Sequence, residues 1–123
     1  MSDHDEPNDC EHDEEPPRSG ASARALERAA RLFRALADES RLRTLELLST
    51  REACVSEIAE SSGEAVSTVS HRLRLLRSEG LVSRRRDGRH IYYALTDGHV
   101  SELLRNALEH AEEDHVHDHG ASS

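Results

Sequence analysis

The chain has 123 residues, of which 35% are hydrophobic and 2% aromatic, and it carries a formal net charge of −9. This length fits one domain with tails, whose small core would favour a second copy or a bound metal ion. No segment reaches the roughly 18 apolar residues of a membrane helix and no charged-then-apolar leader opens the chain, so neither secretion nor insertion is expected. Two cysteines, Cys10 and Cys54, do not make a disulfide framework, and a reducing cytoplasm is the simpler expectation.

The charges are distributed unevenly along the chain. Residues 1–17 hold eight acids and residues 109–123 hold five, and neither segment contains a basic residue. All sixteen basic residues are arginines between Arg18 and Arg105, where twelve acids oppose them. Because the planar arginine side chain suits phosphate and guanine contacts, the middle of the chain can bind DNA, although an ordinary solubilising surface is the alternative.

The pattern divides the chain into three parts. Residues 1–20 are acidic, contain three prolines and lack an apolar period, so they are predicted to form a disordered arm that carries histidines and a cysteine. Residues 21–114 are predicted to form the folded domain, and residues 115–123 a histidine-containing tail.

Two helices open the predicted domain. Ser22 can cap the first and Asp38 the second, because both side chains accept hydrogen bonds from a helix start. Apolar residues that recur at helical spacing predict one apolar face on each helix. On the first helix they are Leu26, Ala30, Phe33 and Ala37, and on the second they are Leu42, Leu45 and Leu48.

A short helix and a longer one follow. The short helix is predicted over residues 56–61 and ends near Gly63, and the longer helix is predicted over residues 65–79 and ends at Gly80. A short helix, a turn and a longer helix with a polar face form a helix-turn-helix. The side chains expected to bury the longer helix are Val69, Leu73 and Leu76.

The periodicity then becomes alternating. Two strands are predicted over residues 81–86 and 89–95, and the intervening Asp87-Gly88 is a strong signal for a two-residue hairpin. A last helix with an apolar stripe is predicted over about residues 98–114. The predicted fold is therefore mostly α-helical with a small β-hairpin, a winged helix-turn-helix.

Two groups of residues are predicted to contact double-stranded DNA. The exposed face of the fourth helix offers hydroxyl, imidazole and guanidinium groups, which contact base edges or phosphates. Four cations around the hairpin tip repel one another unless an anion approaches, which favours phosphate contact over a charged edge that merely avoids aggregation. The helix residues are Ser67, Thr68, Ser70, His71, Arg72 and Arg74, and the hairpin residues are Arg84, Arg85, Arg86 and Arg89.

The last helix carries candidate zinc ligands at both ends. Asp97 and His99 lie at its start, and His110 and Glu113 lie three residues apart near its end. Two imidazoles and two carboxylates can form a closed tetrahedral site, but a helix holds the two histidines about 16 Å apart. A second copy packed antiparallel across a two-fold axis brings the start of one helix to the end of the other, which gives two sites per homodimer.

A second candidate metal site involves thiolates. Cys54 precedes the third helix, and the arm carries Cys10, His4 and His12, which can fold over to join it. A small buried apolar side chain is an equally good explanation of Cys54. The tail histidines can add further ligands, although such histidine-rich ends are weakly specific. They are His115, His117 and His119.

Five segments together resemble a known family. They are Leu-Ala-Asp-Glu-Ser-Arg-Leu at 36–42, Cys-Val-Ser-Glu-Ile-Ala-Glu at 54–60, Thr-Val-Ser-His-Arg-Leu-Arg at 68–74, Gly-Arg-His-Ile-Tyr-Tyr at 88–93, and Asp-Gly-His at 97–99 followed by Asn-Ala-Leu-Glu-His at 106–110. Over about residues 25–113 the chain resembles the ArsR/SmtB family of metal-responsive repressors. The last segment looks like its zinc-sensing branch, whose interhelical site uses Asp, His, His and Glu at this spacing.

The resemblance implies a repressor that is dimeric through its first and last helices. Its apo form binds operator DNA, and Zn²⁺ at the interhelical site releases it. The family's recognition residues carry over as Ser67, Ser70 and His71, and its thiolate site as Cys54 with ligands from the arm. Cadmium, lead and arsenic sensors often show Cys-Val-Cys where this chain has Ser56 at the third place, which weakens a soft-metal interpretation. The recognition helix also lacks the family's usual serine cap.

Other functions remain open from the sequence. Co²⁺, Ni²⁺ or Cd²⁺ can replace Zn²⁺ as the inducer, and a nickel- or cobalt-responsive repressor would use the tail histidines. A repressor can also respond to thiol oxidation through Cys10 and Cys54, and a metal-buffering protein would use the histidines without binding DNA. Neither a membrane nor a small organic substrate is expected as a partner. An enzyme is not expected either, since no nucleophile–base pair or phosphate-cradling loop is recognisable.

Overall fold

The computed structural model describes residues 15–18 and 20–122, with side chains as far as Glu113. Most of the predicted arm therefore lies outside the described residues. The elements in chain order are α1 (Ala23–Leu36), α2 (Glu39–Thr50), β1 (Ala53–Cys54), α3 (Val55–Ser62), α4 (Val66–Ser78), β2 (Val82–Asp87), β3 (His90–Leu95) and α5 (Gly98–Ser122). They confirm the predicted winged helix-turn-helix, and α5 continues through the segment that the sequence pattern separates as a tail.

Side-chain caps fix where most helices begin. The Ser22 hydroxyl accepts a hydrogen bond from the amide of Ala25 at 3.0 Å, and the Asp38 carboxylate accepts one from the amide of Arg41 at 3.0 Å, as the sequence predicts. Recognition helix α4 differs, because Ala65 at its start provides no side-chain cap.

The core lies where α2, α3 and α4 meet the sheet. Leu45, Leu73 and Leu76 are fully buried, together with Val69, so the predicted inward face of α4 is confirmed. Residues from the sheet and from α5 complete the core. They include Leu81, Val82, Tyr93 and Leu104.

The sheet has three antiparallel strands in the order β1-β3-β2. The hairpin turn lies one residue later than predicted, since Asp87 pairs with His90 and leaves Gly88 and Arg89 as the two-residue loop. Gly88 has φ +66°, the left-handed conformation that a primed turn requires at its first central residue. Strand β1 was not predicted, because two residues give no alternating pattern.

The predicted apolar face of α1 lies on the outside of the protomer. Leu26 is 54% exposed and Phe33 is 57% exposed, and Ala30 and Ala37 are exposed as well. The core instead receives Ala35 and Leu36 from the end of this helix. Leu108 on α5 is also exposed. Two helices at opposite ends of the sequence therefore present apolar side chains to solvent.

None of the helices in the described part of the chain combines the length and apolar character needed to cross a bilayer.

Candidate nucleic-acid interface and metal ligands

Most of the residues predicted on the polar face of α4 are accessible. Ser67, Thr68, His71 and Arg74 are exposed, and Ser70 is half-buried. Because Val69 and Leu73 anchor the opposite side in the core, these five side chains form one surface. We call Ser67, Thr68, Ser70, His71 and Arg74 the α4 face.

Arg72 does not belong to the α4 face, and its expected exposure is corrected. Its side chain is 10% exposed and forms a bidentate ion pair with Glu64 in the turn before α4. The Arg72 Nη1 group donates to Glu64 Oε1 at 2.8 Å and to Thr44 Oγ1 on α2 at 3.0 Å. These contacts fasten the middle of α4 to α2 and to the turn that precedes α4.

The same contacts change the acidity of Glu64. Hydrogen bonds from Arg72 in the first place, and from Ser62, lower the pKa of the Glu64 carboxyl from 4.5 to about 2. A carboxyl whose pKa is lower in the folded chain stabilises the fold above its unfolded pKa of 4.5. This contribution disappears as the pH falls towards about 2.

We call the β2–β3 hairpin the wing. Its four arginines fall into two groups. All four are exposed, but Arg85 is held by an acid. Arg85 donates from Nε and Nη2 to the two carboxylate oxygens of Glu52, each at 2.9 Å, and its guanidinium lies 5.0 Å from the centre of the Tyr92 ring. This pairing lowers the pKa of the Glu52 carboxyl and raises the pKa of Arg85.

The start of α5 presents two candidate metal ligands side by side. Asp97 Oδ1 accepts hydrogen bonds from the amides of His99 at 3.0 Å and Val100 at 3.2 Å, so this carboxylate caps the helix. Its other oxygen, Oδ2, lies 3.9 Å from Nδ1 of His99, whose side chain is 94% exposed. One carboxylate oxygen and one imidazole at this end therefore face solvent together.

The other two candidate ligands lie further along the same helix. His110 and Glu113 are exposed on α5, and no three His, Cys, Asp or Glu side chains converge on a metal-sized site anywhere in the described part of the chain. That two copies close the site together stays a prediction. The donor set of carboxylate and imidazole is nevertheless the chemistry that zinc accepts.

Thr96, two residues before α5, links this end to the chain that follows α4. The Thr96 hydroxyl donates to the carbonyl of Gly80 at 2.8 Å, and the Thr96 amide donates to the carbonyl of Leu81 at 3.1 Å. Gly80 and Leu81 lie two and three residues after the last residue of α4. The candidate ligand Asp97 is therefore one residue away from a hydrogen-bonded junction with the end of the recognition helix.

Cys54 is a half-buried residue at the start of α3. Its amide donates to Glu57 Oε1 at 3.0 Å, and its sulfur lies 3.3 Å from the Ser56 hydroxyl. Its predicted partners lie outside the described residues. These are Cys10, His4 and His12, and the same holds for the side chains of His115, His117 and His119.

Sequence patterns missed the acids that pair with Arg72 and Arg85. Glu64 and Glu52 lie in loops, eight and thirty-three positions from Arg72 and Arg85. Such pairs leave no periodic signal, because tertiary packing brings them together. The one local hint is a glutamate directly before the predicted recognition helix.

Comparisons with known proteins agree with this geometry. The model of the family described as "Bacterial regulatory protein, arsR family" matches residues 38–84. The chain is 48% identical over 84 residues to a transcriptional repressor SmtB homolog of Synechocystis, which covers 68% of this chain and 64% of that protein. It is 38% identical over 85 residues to a cadmium resistance transcriptional regulatory protein, a CadC homolog of Staphylococcus aureus, covering 68% and 70%.

The fold is similar to solved structures as well. A homodimeric winged helix-turn-helix DNA-binding domain from Mycobacterium bovis superposes with a TM-score of 0.71 at 35% identity. The match covers 80% of this chain and 92% of that domain.

Proposed function

This chain belongs to the arsR family of bacterial regulatory proteins, and we propose that it is a metal-responsive transcriptional repressor. In our proposal the apo homodimer binds operator DNA, and Zn²⁺ binding between the two α5 helices releases it. The observation that carries the metal proposal is the placement of Asp97 and His99 at one end of an exposed helix and of His110 and Glu113 towards the other. We place this activity in the cytoplasm, where the operator lies.

DNA binding uses the α4 face and the wing. The hydroxyls, imidazole and Arg74 of the α4 face supply donors and acceptors for base edges in the major groove. Arg84, Arg86 and Arg89 supply positive charge for the phosphates beside it. Arg72 takes no direct part in our proposal, because its donors are already used by Glu64 and Thr44. Its role is to hold α4 in place.

Two copies associate through α1 and α5. Leu26, Phe33 and Leu108 are exposed in the protomer, and burying them against a second copy removes apolar surface from water. The homodimeric relative from Mycobacterium bovis supports this assembly. A dimer places two α4 helices in successive major grooves about one helical turn apart.

An antiparallel pair of α5 helices completes the metal site. Asp97 and His99 of one copy would lie beside His110 and Glu113 of the other copy. Bound zinc would cross-link the two α5 helices and so favour one arrangement of the dimer. The single Cys54, with Ser56 where a second thiol would stand, gives little support to a soft-metal site at α3.

Thr96 offers a route from this site to the DNA. It follows β3, precedes Asp97, and holds the residues at the end of α4 through two hydrogen bonds. A displacement of the start of α5 would therefore shift α4 relative to the α4 helix of the other copy. Because the coupling is reciprocal, DNA must weaken zinc binding by the same factor.

Two complementary variants test the shared site. We would co-express His99→Ala and His110→Ala chains with different tags and purify the mixed dimer by both tags. Each single-variant dimer lacks one ligand in both sites. The mixed dimer lacks both histidines at one site but keeps all four ligands at the other.

We expect two zinc ions per wild-type dimer, one per mixed dimer and no tight site in either single-variant dimer. Operator affinity at fixed salt should fall on adding zinc for the wild-type and mixed dimers only, and apo affinity should be equal in all four. Glu109→Gln, an exposed α5 carboxylate outside the ligand set, serves as the control. A mixed dimer that behaves like the single variants would refute a site shared between copies. Separate titrations with Co²⁺, Ni²⁺ and Cd²⁺ show whether zinc is the preferred inducer.

A further inference from the structure

One apolar residue at the start of α4 has no role in the functions described so far. Val66 is the first residue of this helix and is 54% exposed. The other large apolar side chains that are exposed in the described part of the chain lie on α1 and α5. Val66 lies instead beside Ser67 and Thr68 of the α4 face.

Neither packing nor helix formation explains a valine at this position. Val66 lies one turn before both Val69 of the buried side and Ser70 of the α4 face, so it stands at the border between them, and it stays exposed where Val69 and Leu73 are fully buried. A β-branched side chain has a lower helix propensity than most, and Ala65 leaves this helix start without a side-chain cap. A polar residue here would favour both solubility and helix initiation.

The major groove offers one good partner for an aliphatic side chain. The N-terminal residues of a recognition helix are the ones that contact base edges. Beside the hydrogen-bond donors and acceptors on those edges, the C5-methyl group of thymine is the one large apolar group. The ion pair between Arg72 and Glu64 holds the turn next to this helix start, so the valine is presented in a fixed position.

We propose that Val66 packs against the C5-methyl group of one thymine in each operator half-site and selects thymine there. This inference rests on the DNA-binding function proposed above and adds a specificity-determining residue to it. The polar α4 face then supplies hydrogen bonds to the neighbouring bases, while Val66 supplies the one apolar contact.

The test removes that methyl group from the DNA without changing base pairing. Wild-type apo protein first selects a duplex from a random pool at fixed salt. Each thymine of the selected duplex is then replaced singly by deoxyuridine, and affinity is measured for wild type and for Val66→Ala. Because burying one methyl group is worth about 0.8 kcal/mol, we expect a loss of about fourfold at one thymine per half-site for wild type.

The Val66→Ala variant should bind the thymine and deoxyuridine duplexes equally well. Its thermal unfolding should match that of wild type, because the side chain is exposed, and deoxyuridine at the remaining thymines is the internal control. Equal affinity of wild type for all single replacements, or the same methyl dependence in Val66→Ala, would overturn the inference while leaving DNA binding intact. Failure to select any duplex would refute the proposed DNA-binding function, and the inference with it.

Discussion

The recognition helix and the candidate metal site are built differently. The recognition helix α4 is fixed within one chain, because Arg72 joins it to Glu64 and Thr44 and its apolar side is fully buried. The candidate ligands occupy exposed positions at the start of α5 and along it, and no three of them converge within the described side chains. The proposed DNA-binding surface is thus complete in each protomer, whereas the proposed metal site exists only in the assembly. In our proposal, metal binding therefore requires the dimer.

The largest effect should come from breaking the assembly. Phe33→Asp puts a charge on the exposed apolar face of α1, and we expect monomers in sedimentation equilibrium. Operator affinity should fall by about 100-fold or more, because two half-sites are no longer bound together. Arg28→Asp, on the opposite side of α1, should remain dimeric. A Phe33→Asp dimer of normal affinity would exclude α1 from the interface.

The next effect separates the two roles of Asp97. Asparagine caps helices about as well as aspartate, but it lacks the carboxylate charge that favours a metal ion. We therefore expect Asp97→Asn to keep its melting temperature and apo operator affinity. The factor by which zinc weakens operator binding, expected at about 5- to 150-fold for wild type, should approach one. Undiminished release by zinc would remove Asp97 from the ligand set.

A smaller effect concerns the rigidity of α4. Glu64→Gln removes the charge that pairs with Arg72, so we expect a lower melting temperature at neutral pH. The difference from wild type should be complete above pH 4.5 and vanish as the pH falls towards 2, because the carboxyl itself is protonated there. Thermal unfolding followed by circular dichroism between pH 2 and 7 measures it. A difference that does not depend on pH would mean that the ion pair is not its cause.

The smallest effect distinguishes the arginines of the wing. Arg84→Ala should lower the slope of log affinity against log salt by about 0.9, the value for one phosphate contact. Arg85→Ala should change the slope less, because this guanidinium is paired with Glu52. Fluorescence anisotropy at several salt concentrations compares the two variants. Equal slopes for both would contradict the division of the wing.

The sequence predicted those parts of the fold that depend on local patterns. Ser22, Asp38 and the apolar stripe of α4 follow from capping and helical spacing, and the structure confirms them. The hairpin was found, but its turn was placed one residue early, because Asp87-Gly88 and Gly88-Arg89 both supply the glycine that the turn needs.

What the sequence could not show depends on contacts between distant residues. Arg72 looked like a member of the α4 face, and only packing reveals that Glu64 draws it inward. Spacing placed the four candidate ligands at the start of α5 and along it, and their meeting between two copies stays a prediction. The apolar face of α1 was recognised by its period, whereas its exposure in the protomer required the structure.

The ion pair beneath the wing has a consequence for how such a regulator could change. In our proposal Glu52 does not contact the DNA, but its ion pair with Arg85 reduces the positive charge that Arg85 offers to the phosphates. Replacing this one acid would release another cation next to the phosphates and strengthen binding to any duplex. A substitution of Glu52, in the loop before β1, can therefore raise the fraction of operator that is bound without changing any base contact.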